Sequence, residues 1–229
     1  MTLSSAFSSL SKQLGYTFND EALLEQALTH RSVGSKNNER LEFLGDSILN
    51  FVIAEALYHQ FPENSEGDLS RLRAHLVNGE ALAVIGRNLQ LGDCLRLGAG
   101  ELKSGGFKRD SILADAVESI LGAVYRDADF LMCKKIILTL YADMLKDIPD
   151  PQKLKDAKTQ LQEILQARQI AIPLYKVIKI SGKAHDQRFD VECAIENLGI
   201  YSQGTGHSRR KAEQRAAKAA IPDVLKKLD

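Results

Sequence analysis

Cysteine is scarce in this sequence, and its three cysteines never pair. Cys94, Cys133 and Cys193 lie far apart and form no CxxC motif. That excludes a disulfide framework and a zinc ribbon, and it reads as buried free thiols in a reducing compartment. No apolar run approaches the ~18 residues that a membrane helix needs. The first residues, MTLSSAFSSLSKQLGYTF, lack a basic segment, a long apolar stretch and a small-residue cleavage site. The expectation is therefore a cytoplasmic protein with no membrane partner. His30, His59, His75, His185 and His207 show no local pairing, which leaves little for chemistry that needs two imidazoles as acid and base. Internal repeats and low-complexity tracts are absent too.

What is present divides in two. The chain has 229 residues, enough for one or two domains with a sizeable core, and its net charge is zero. That balance is uneven. From Gln152 to Asp229 there are 15 Lys and Arg against 9 Asp and Glu, whereas the preceding residues hold 15 basic and 21 acidic side chains. An acidic module joined to a basic one suggests a cation site on one side and a polyanion partner on the other.

The pattern predicts an all-helical domain over residues 1–148, a linker over 149–155 marked by Pro149 and Pro151, and an α-β-β-β-α domain over 156–226. The fold class is thus mainly α plus α+β. Asn19 or Asp20 is expected to cap EALLEQALTH, and Asp110 or Ser111 to cap SILADAVESILGAVYRD. FLMCKKIILTLYADMLKDI reads as one closing helix. In the second domain RFDVECAI alternates with period 2, as a half-buried strand does. The final helix carries Ala212, Ala216, Ala219 and Ala220, small enough to lie close on a sheet, and Pro222 is expected to end or kink it near Ile221.

One helix organises the first domain. In NERLEFLGDSILN, Glu39, Glu42 and Asp46 stand at i, i+3 and i+7, within about 60° of arc. Leu41, Leu44, Ile48 and Val52 point the other way, and no cation shares the acidic face. Carboxylates held together repel, and a divalent cation relieves that repulsion; without one the stretch is simply a solvated acidic face. Asp115 and Glu118 add a second pair at i, i+3, and Glu66 follows a polar loop. Oxygen-only ligands select Mg2+ or Mn2+, whose bound water can attack a phosphodiester. Phe43 falls on the edge of the acidic face, where it either packs locally or meets a partner.

The basic cluster Ser208-Arg209-Arg210-Lys211 opens the last helix, where unsatisfied N–H groups and the helix dipole also favour phosphate. Thr159, Gln162 and Glu163 form a mostly uncharged face able to exchange hydrogen bonds with ribose 2′-hydroxyls, and His185 can do the same. Paired solvent-facing aromatics for base stacking are missing, so duplex RNA read by shape is the expected partner.

These motifs resemble bacterial ribonuclease III. The likeness lies in NERLEFLGDSILNFVIAEALY, LTHRS (28–32), EGDLSRLRA (66–74), GELKSGG (100–106) and SILADAVESILGA (111–123). KTQLQEILQ and GTGHSRRKAEQRAA resemble the two ends of a double-stranded RNA-binding domain. The resemblance implies a homodimeric, Mg2+-dependent endonuclease for double-stranded RNA, with Mn2+ as a substitute and no organic cofactor. It implies 5′-phosphate and 3′-hydroxyl ends with a short 3′ overhang, and roles in ribosomal, messenger and transfer RNA processing. Glu42, Asp46, Asp115 and Glu118 would hold the metal, catalysis would depend on Asp46 and Glu118, and Glu39 and Glu66 would be accessory acids. Phe43 would insert into a socket on the other subunit. The alternative is a non-catalytic dimeric regulator that binds duplex RNA, against which the six intact acids speak.

Overall fold

The computed structural model describes residues 3–183 and 186–228. Its contacts divide the chain into two compact units, Met1–Leu154 and Lys155–Asp229.

The described part of the first unit is helical: α1 (Leu3–Leu14), α2 (Glu21–Ala27), α3 (Glu39–Gln60), α4 (Glu66–Leu76), α5 (Gly79–Asn88), α6 (Ala99–Lys103), α7 (Asp110–Asp127), α8 (Phe130–Leu140) and α9 (Ala142–Lys146). Polar caps start many of these helices. The side chains of Asp20, Ser65, Asn78 and Asp129 accept from the backbone N–H groups of Ala22, Asp68, Ala81 and Met132. Helix α3 stops at Gln60, since Pro62 disfavours helical geometry in the residue before it.

Helix α7 is the axis of the unit. Its residues from Ile112 to Val124 are buried except Asp115 and Glu118, which are half-buried, and α2, α3 and α5 pack around it. The α3–α7 contact is unusually close. A Cβ on Gly45 would lie 1.8 Å from the carbonyl oxygen of Glu118, and one on Gly122 would lie 2.2 Å from that of Leu41. Only glycine permits backbones to approach in this way.

Two local expectations change. The closing helix breaks into α8 and α9 at Tyr141, which is fully buried and leaves helical geometry as its ring enters the core. Helix α7 has no side-chain cap, because Asp110 lies inside its first turn and binds Arg87 at 2.5 Å instead. A tertiary ion pair has displaced a local hydrogen bond.

The second unit runs α10 (Ala157–Gln166), β1 (Leu174–Ser181), β2 (Arg188–Ile195), β3 (Ile200–Gly206) and α11 (Arg209–Leu228). The sheet is antiparallel in the order β1-β2-β3. Alternate β2 residues Val191, Cys193 and Ile195 are buried, as period 2 requires. The β1–β2 register shifts between Val177 and Lys179. Helix α11 lies close on β3: a Cβ on Gly204 would meet the Ala216 nitrogen at 2.2 Å. Ala212, Ala216, Ala217 and Ala220 are buried there, whereas Ala219 is exposed.

Pro222 neither ends nor visibly interrupts α11, contrary to expectation; the helix continues to Leu228. Contacts beyond the proline outweigh the lost backbone hydrogen bond. Val224 is fully buried, Arg168 donates to the Leu228 carbonyl at 3.0 Å, and Lys227 donates to the Leu198 carbonyl. No helix among the described residues is long and apolar enough to cross a membrane.

Candidate functional site

The glycine-tight crossing carries acids from both helices to one place. Glu42 on α3 and Asp115 and Glu118 on α7 each offer a carboxylate oxygen, and these atoms lie within 4.8 Å of one another. Gly45 touches the backbone of Glu118 itself. The contact that joins the helices therefore also sets the spacing of their carboxylates. Ser119 ties the local backbone, its hydroxyl donating to the Asp115 carbonyl at 2.6 Å.

Crowded, half-buried carboxylates resist ionisation. Burial pushes the Glu118 carboxyl up to about 8, and the charges of Asp46, Glu42 and Asp115 push in the same direction. Glu42 is raised by burial, then by Asp115 and Glu39. Asp115 is raised by burial, and His30 and Arg31 pull it back. The set is rich in hard oxygen donors and short of positive charge, and this fits a divalent cation such as Mg2+ or Mn2+. The buried hydroxyl of Tyr141 has no hydrogen-bond partner among the described residues, and the Glu118 charge adds to burial in raising its pKa.

The other acids stand around this trio. Asp46 is exposed and accepts from the Asn50 amide at 2.8 Å. It is not one of the three converging groups, although its charge acts on Glu118. Glu39 is exposed, accepts from the Asn37 amide at 3.1 Å and faces Arg31 at 3.6 Å. Glu66 is also outside the trio, at the start of α4, and accepts from the Ser70 hydroxyl at 2.7 Å.

The cation missing from the acidic face of α3 thus comes from the loop before it. Leu28 and Thr29 are buried, and Thr29 bridges to Arg96. His30 donates its backbone N–H to the Arg96 carbonyl at 3.0 Å, and Arg96 donates to Leu28 at 2.8 Å. The Ser32 hydroxyl accepts from the Gly98 N–H at 2.8 Å and contacts His30 Nδ1 at 2.8 Å. These bonds hold His30 and Arg31 beside the acids. Helical spacing could not reveal a cation eight residues from Glu39 on a different segment.

Phe43 does not pack in its own chain; it is 76% exposed. Phe51 and Tyr58, two further turns and then two more along α3, are 58% and 68% exposed. With Ala54, Leu57, Glu66 and Leu69 the latter two line a groove of about 430 Å3.

The second unit presents cations at the start of α11. Ser208 caps it, accepting from the Lys211 N–H at 3.2 Å. Arg210 and Lys211 are exposed, and with Arg215 they border an open depression of about 550 Å3. Arg209 is exposed, but its Nε donates to Glu213 at 2.8 Å. On α10, Thr159 is half-buried and Gln162 exposed, while exposed Glu163 is paired with Lys155 at 2.5 Å. His185 lies outside the described residues. Lys158, Glu213 and Arg215 are the members of this surface that the sequence pattern did not single out. The run KAEQR carried the last two, on the face that small residues made look structural.

Comparison with known proteins agrees with both halves. Residues 20–145 match the family described as Ribonuclease-III-like, and residues 157–223 match the double-stranded RNA binding motif. The chain is similar to the nuclease domain of ribonuclease III from Campylobacter jejuni. In one solved structure, concerned with flexibility in a region involved in dimer formation, identity is 47% and the TM-score 0.58, over 59% of this chain and 95% of that one. In a crystal structure of the same domain identity is 45% and the TM-score 0.59, over 62% and 97% respectively.

Proposed function

This chain belongs to the ribonuclease III family, with an N-terminal nuclease and a C-terminal double-stranded RNA-binding domain, and from that premise we propose how it cuts. It is a Mg2+-dependent endonuclease for double-stranded RNA, with Mn2+ able to substitute. It leaves 5′-phosphates, 3′-hydroxyls and a short 3′ overhang, and it processes ribosomal, transfer and structured messenger transcripts in the cytoplasm. The observation that carries this reading is the convergence of Glu42, Asp115 and Glu118 within 4.8 Å, with Glu118 pushed up to about 8.

Glu42, Asp46, Asp115 and Glu118 would hold the cation. Asp46, whose charge already acts on Glu118, would exchange its hydrogen bond from Asn50 for the cation. When bound, Mg2+ supplies polarisation of a phosphate oxygen and a more acidic water for in-line attack. The residues supply the frame. Glu118, kept protonated by burial and by its acidic neighbours, would give its proton to solvent and bind a cation as the carboxylate. Glu39 and Glu66 accept hydrogen bonds from outer water and ribose hydroxyls, and Arg31 sits where it can face a phosphate beside the acids. Residues 156–226 hold the duplex, and residues 149–155 link them to the nuclease of residues 1–148.

One site per chain meets one strand, so two strands of opposite polarity call for a two-fold dimer. The exposed row of Phe43, Phe51 and Tyr58, and the groove beside it, support an α3-centred interface in which Phe43 of each copy enters the groove of the other. The relative studied for its dimer-forming region points the same way.

The test is incubation of the full chain with a long RNA duplex in Mg2+, in Ca2+ and in EDTA. Cleavage in Mg2+ alone is expected, with binding retained in Ca2+. Binding without cleavage in either Mg2+ or Mn2+ would identify a non-catalytic duplex-binding regulator.

A further inference from the structure

The dsRNA-binding unit contains an acid where a polyanion partner should disfavour one. Glu213 is 8% exposed, one turn into α11 and directly behind the basic start of that helix. Its two oxygens are divided between two cations from different helices. Oε1 accepts from Arg209 Nε at 2.8 Å, and Oε2 accepts from Lys158 Nζ on α10 at 2.7 Å. Lys158 Nζ also stands 4.4 Å from the centre of the Tyr175 ring on β1. The neighbouring pair repeats the connection: Gln214 accepts from the Lys158 N–H at 3.1 Å and donates to Asp156, the cap of α10, at 2.8 Å. The beginnings of α10 and α11 are thus laced together through Glu213 and Gln214.

The arrangement leaves the cations usable. The Arg209 side chain is 64% exposed, and its Nε bond to Glu213 leaves the two terminal nitrogens, with four N–H donors, free to meet phosphate. The Lys158 side chain is 34% exposed and keeps donors to spare. Burial alone would push the Glu213 carboxyl up, but the hydrogen bonds from Lys158 and Arg209 outweigh it and hold the group ionised. A long flexible cation that is already fixed loses less freedom on meeting a phosphate than a free one does.

We propose that Glu213 is a positioning residue for duplex RNA: it fixes Arg209 and Lys158, one cation from each helix start, at the spacing with which they meet backbone phosphates. The inference rests on the RNA-binding reading of this unit, and it adds Lys158 to the RNA-contacting set. It carries a consequence opposite to simple electrostatics. Removing a negative charge from beside a basic surface should strengthen binding to a polyanion through the field alone. If positioning dominates, the same change weakens it.

The test measures binding of the full chain to a mixed-sequence RNA duplex in Ca2+. Glu213→Gln keeps the shape of the side chain and removes its charge. It is expected to weaken binding about tenfold, the scale of two immobilised long side chains set free. In a chain that already carries Lys158→Ala and Arg209→Ala, the further change Glu213→Gln is expected to alter affinity less than twofold. Equal or tighter binding by Glu213→Gln overturns the proposal, since the field alone then decides. A tenfold loss that persists in the doubly substituted chain also overturns it, since Glu213 then acts on the fold and not on these cations. If Glu213→Gln unfolds, Arg209→Lys keeps the charge but cannot reproduce the Nε contact. Wild-type affinity there overturns the proposal, and a loss of about fivefold or more supports it. Failure of the unaltered chain to bind duplex RNA at all would instead defeat the reading of the unit as RNA-binding, and the inference with it.

Discussion

Glu118→Gln separates charge from shape at the candidate metal site. The wild-type carboxyl is pushed from 4.5 up to about 8 by burial and by Asp46, Glu42 and Asp115. In the unfolded chain it titrates at its ordinary value. Between those two limits the folded state holds a proton that the unfolded state has lost, so the contribution of this group to stability is full below 4.5, falls as pH rises through this window and is gone above about 8. A glutamine has nothing to titrate. The stability of the variant relative to wild type should thus be small at pH 4.5 and should grow to a plateau above pH 8. For a fully shielded group the shift corresponds to ~5 kcal/mol. Glu118 is half-buried, and contact with solvent reduces the effect to about 1–2 kcal/mol. That is about 3–6 °C in the melting temperature of a unit this size. The assay is thermal unfolding in EDTA from pH 5 to pH 9, with the same samples tested for RNA cleavage in Mg2+ at neutral pH. The expected variant is more stable at high pH without metal, and severely impaired in turnover. It should also gain less stability than wild type from added Mg2+. A stability difference that is equal at pH 5 and pH 9 would show that the acids are independently solvated, and that no crowded site exists for a cation to relieve.

Three further outcomes are expected. Gly45→Ala must force α3 and α7 apart, because its Cβ would stand 1.8 Å from the Glu118 carbonyl; destabilisation of about 3 kcal/mol and a loss of cleavage exceeding the loss of RNA binding are expected, and a mutant melting with wild type would contradict so close a crossing. Replacing Arg209, Arg210 and Lys211 together by Ala should flatten the salt dependence of duplex binding by about 2–3 in log–log slope, measured in Ca2+; an unchanged slope would argue against phosphate contact. Phe43→Ala should shift the assembly toward monomer in sedimentation, since each copy loses the burial of a phenyl group worth roughly 1.5–3 kcal/mol; a mutant that stays dimeric at nanomolar concentration, with wild-type cutting of both strands, would leave Phe43 no role at an interface.

Much of the architecture was legible in periodicity. The acidic face of α3, the i, i+3 acids of α7 and the alternation of β2 are local patterns, and local backbone geometry preserves them. What escaped was set by distant partners. Nothing near Tyr141 in the chain announces that its ring enters the core and splits a helix. Arg87 claims Asp110 from another helix and removes it as a cap. Pro222 obeys a rule about backbone hydrogen bonds that Val224, Arg168 and Lys227 together override. At the site, spacing on one helix grouped Glu39, Glu42 and Asp46. The structure brings Glu42 together with Asp115 and Glu118, the second acidic pair of the sequence, through the Gly45–Gly122 contact that joins α3 to α7, a convergence that spacing on one helix cannot express. Arg31 was legible only as part of a family motif, since it balances the acids from a loop.

The register shift in β1 bears on solubility. This strand is an edge of its sheet, and Leu174, Ile178 and Ile180 on it are 59%, 49% and 54% exposed. An apolar strand with a free edge is a template on which a second chain can add. Continuous addition needs an unbroken row of alternating N–H and C=O groups, and the irregularity between Val177 and Lys179 interrupts that row midway. Lys176 and Lys179 flank the break with charges that an added copy would have to desolvate or face with its own. The irregular backbone and the two lysines thus disfavour strand-to-strand growth along an open edge that carries exposed branched aliphatic side chains.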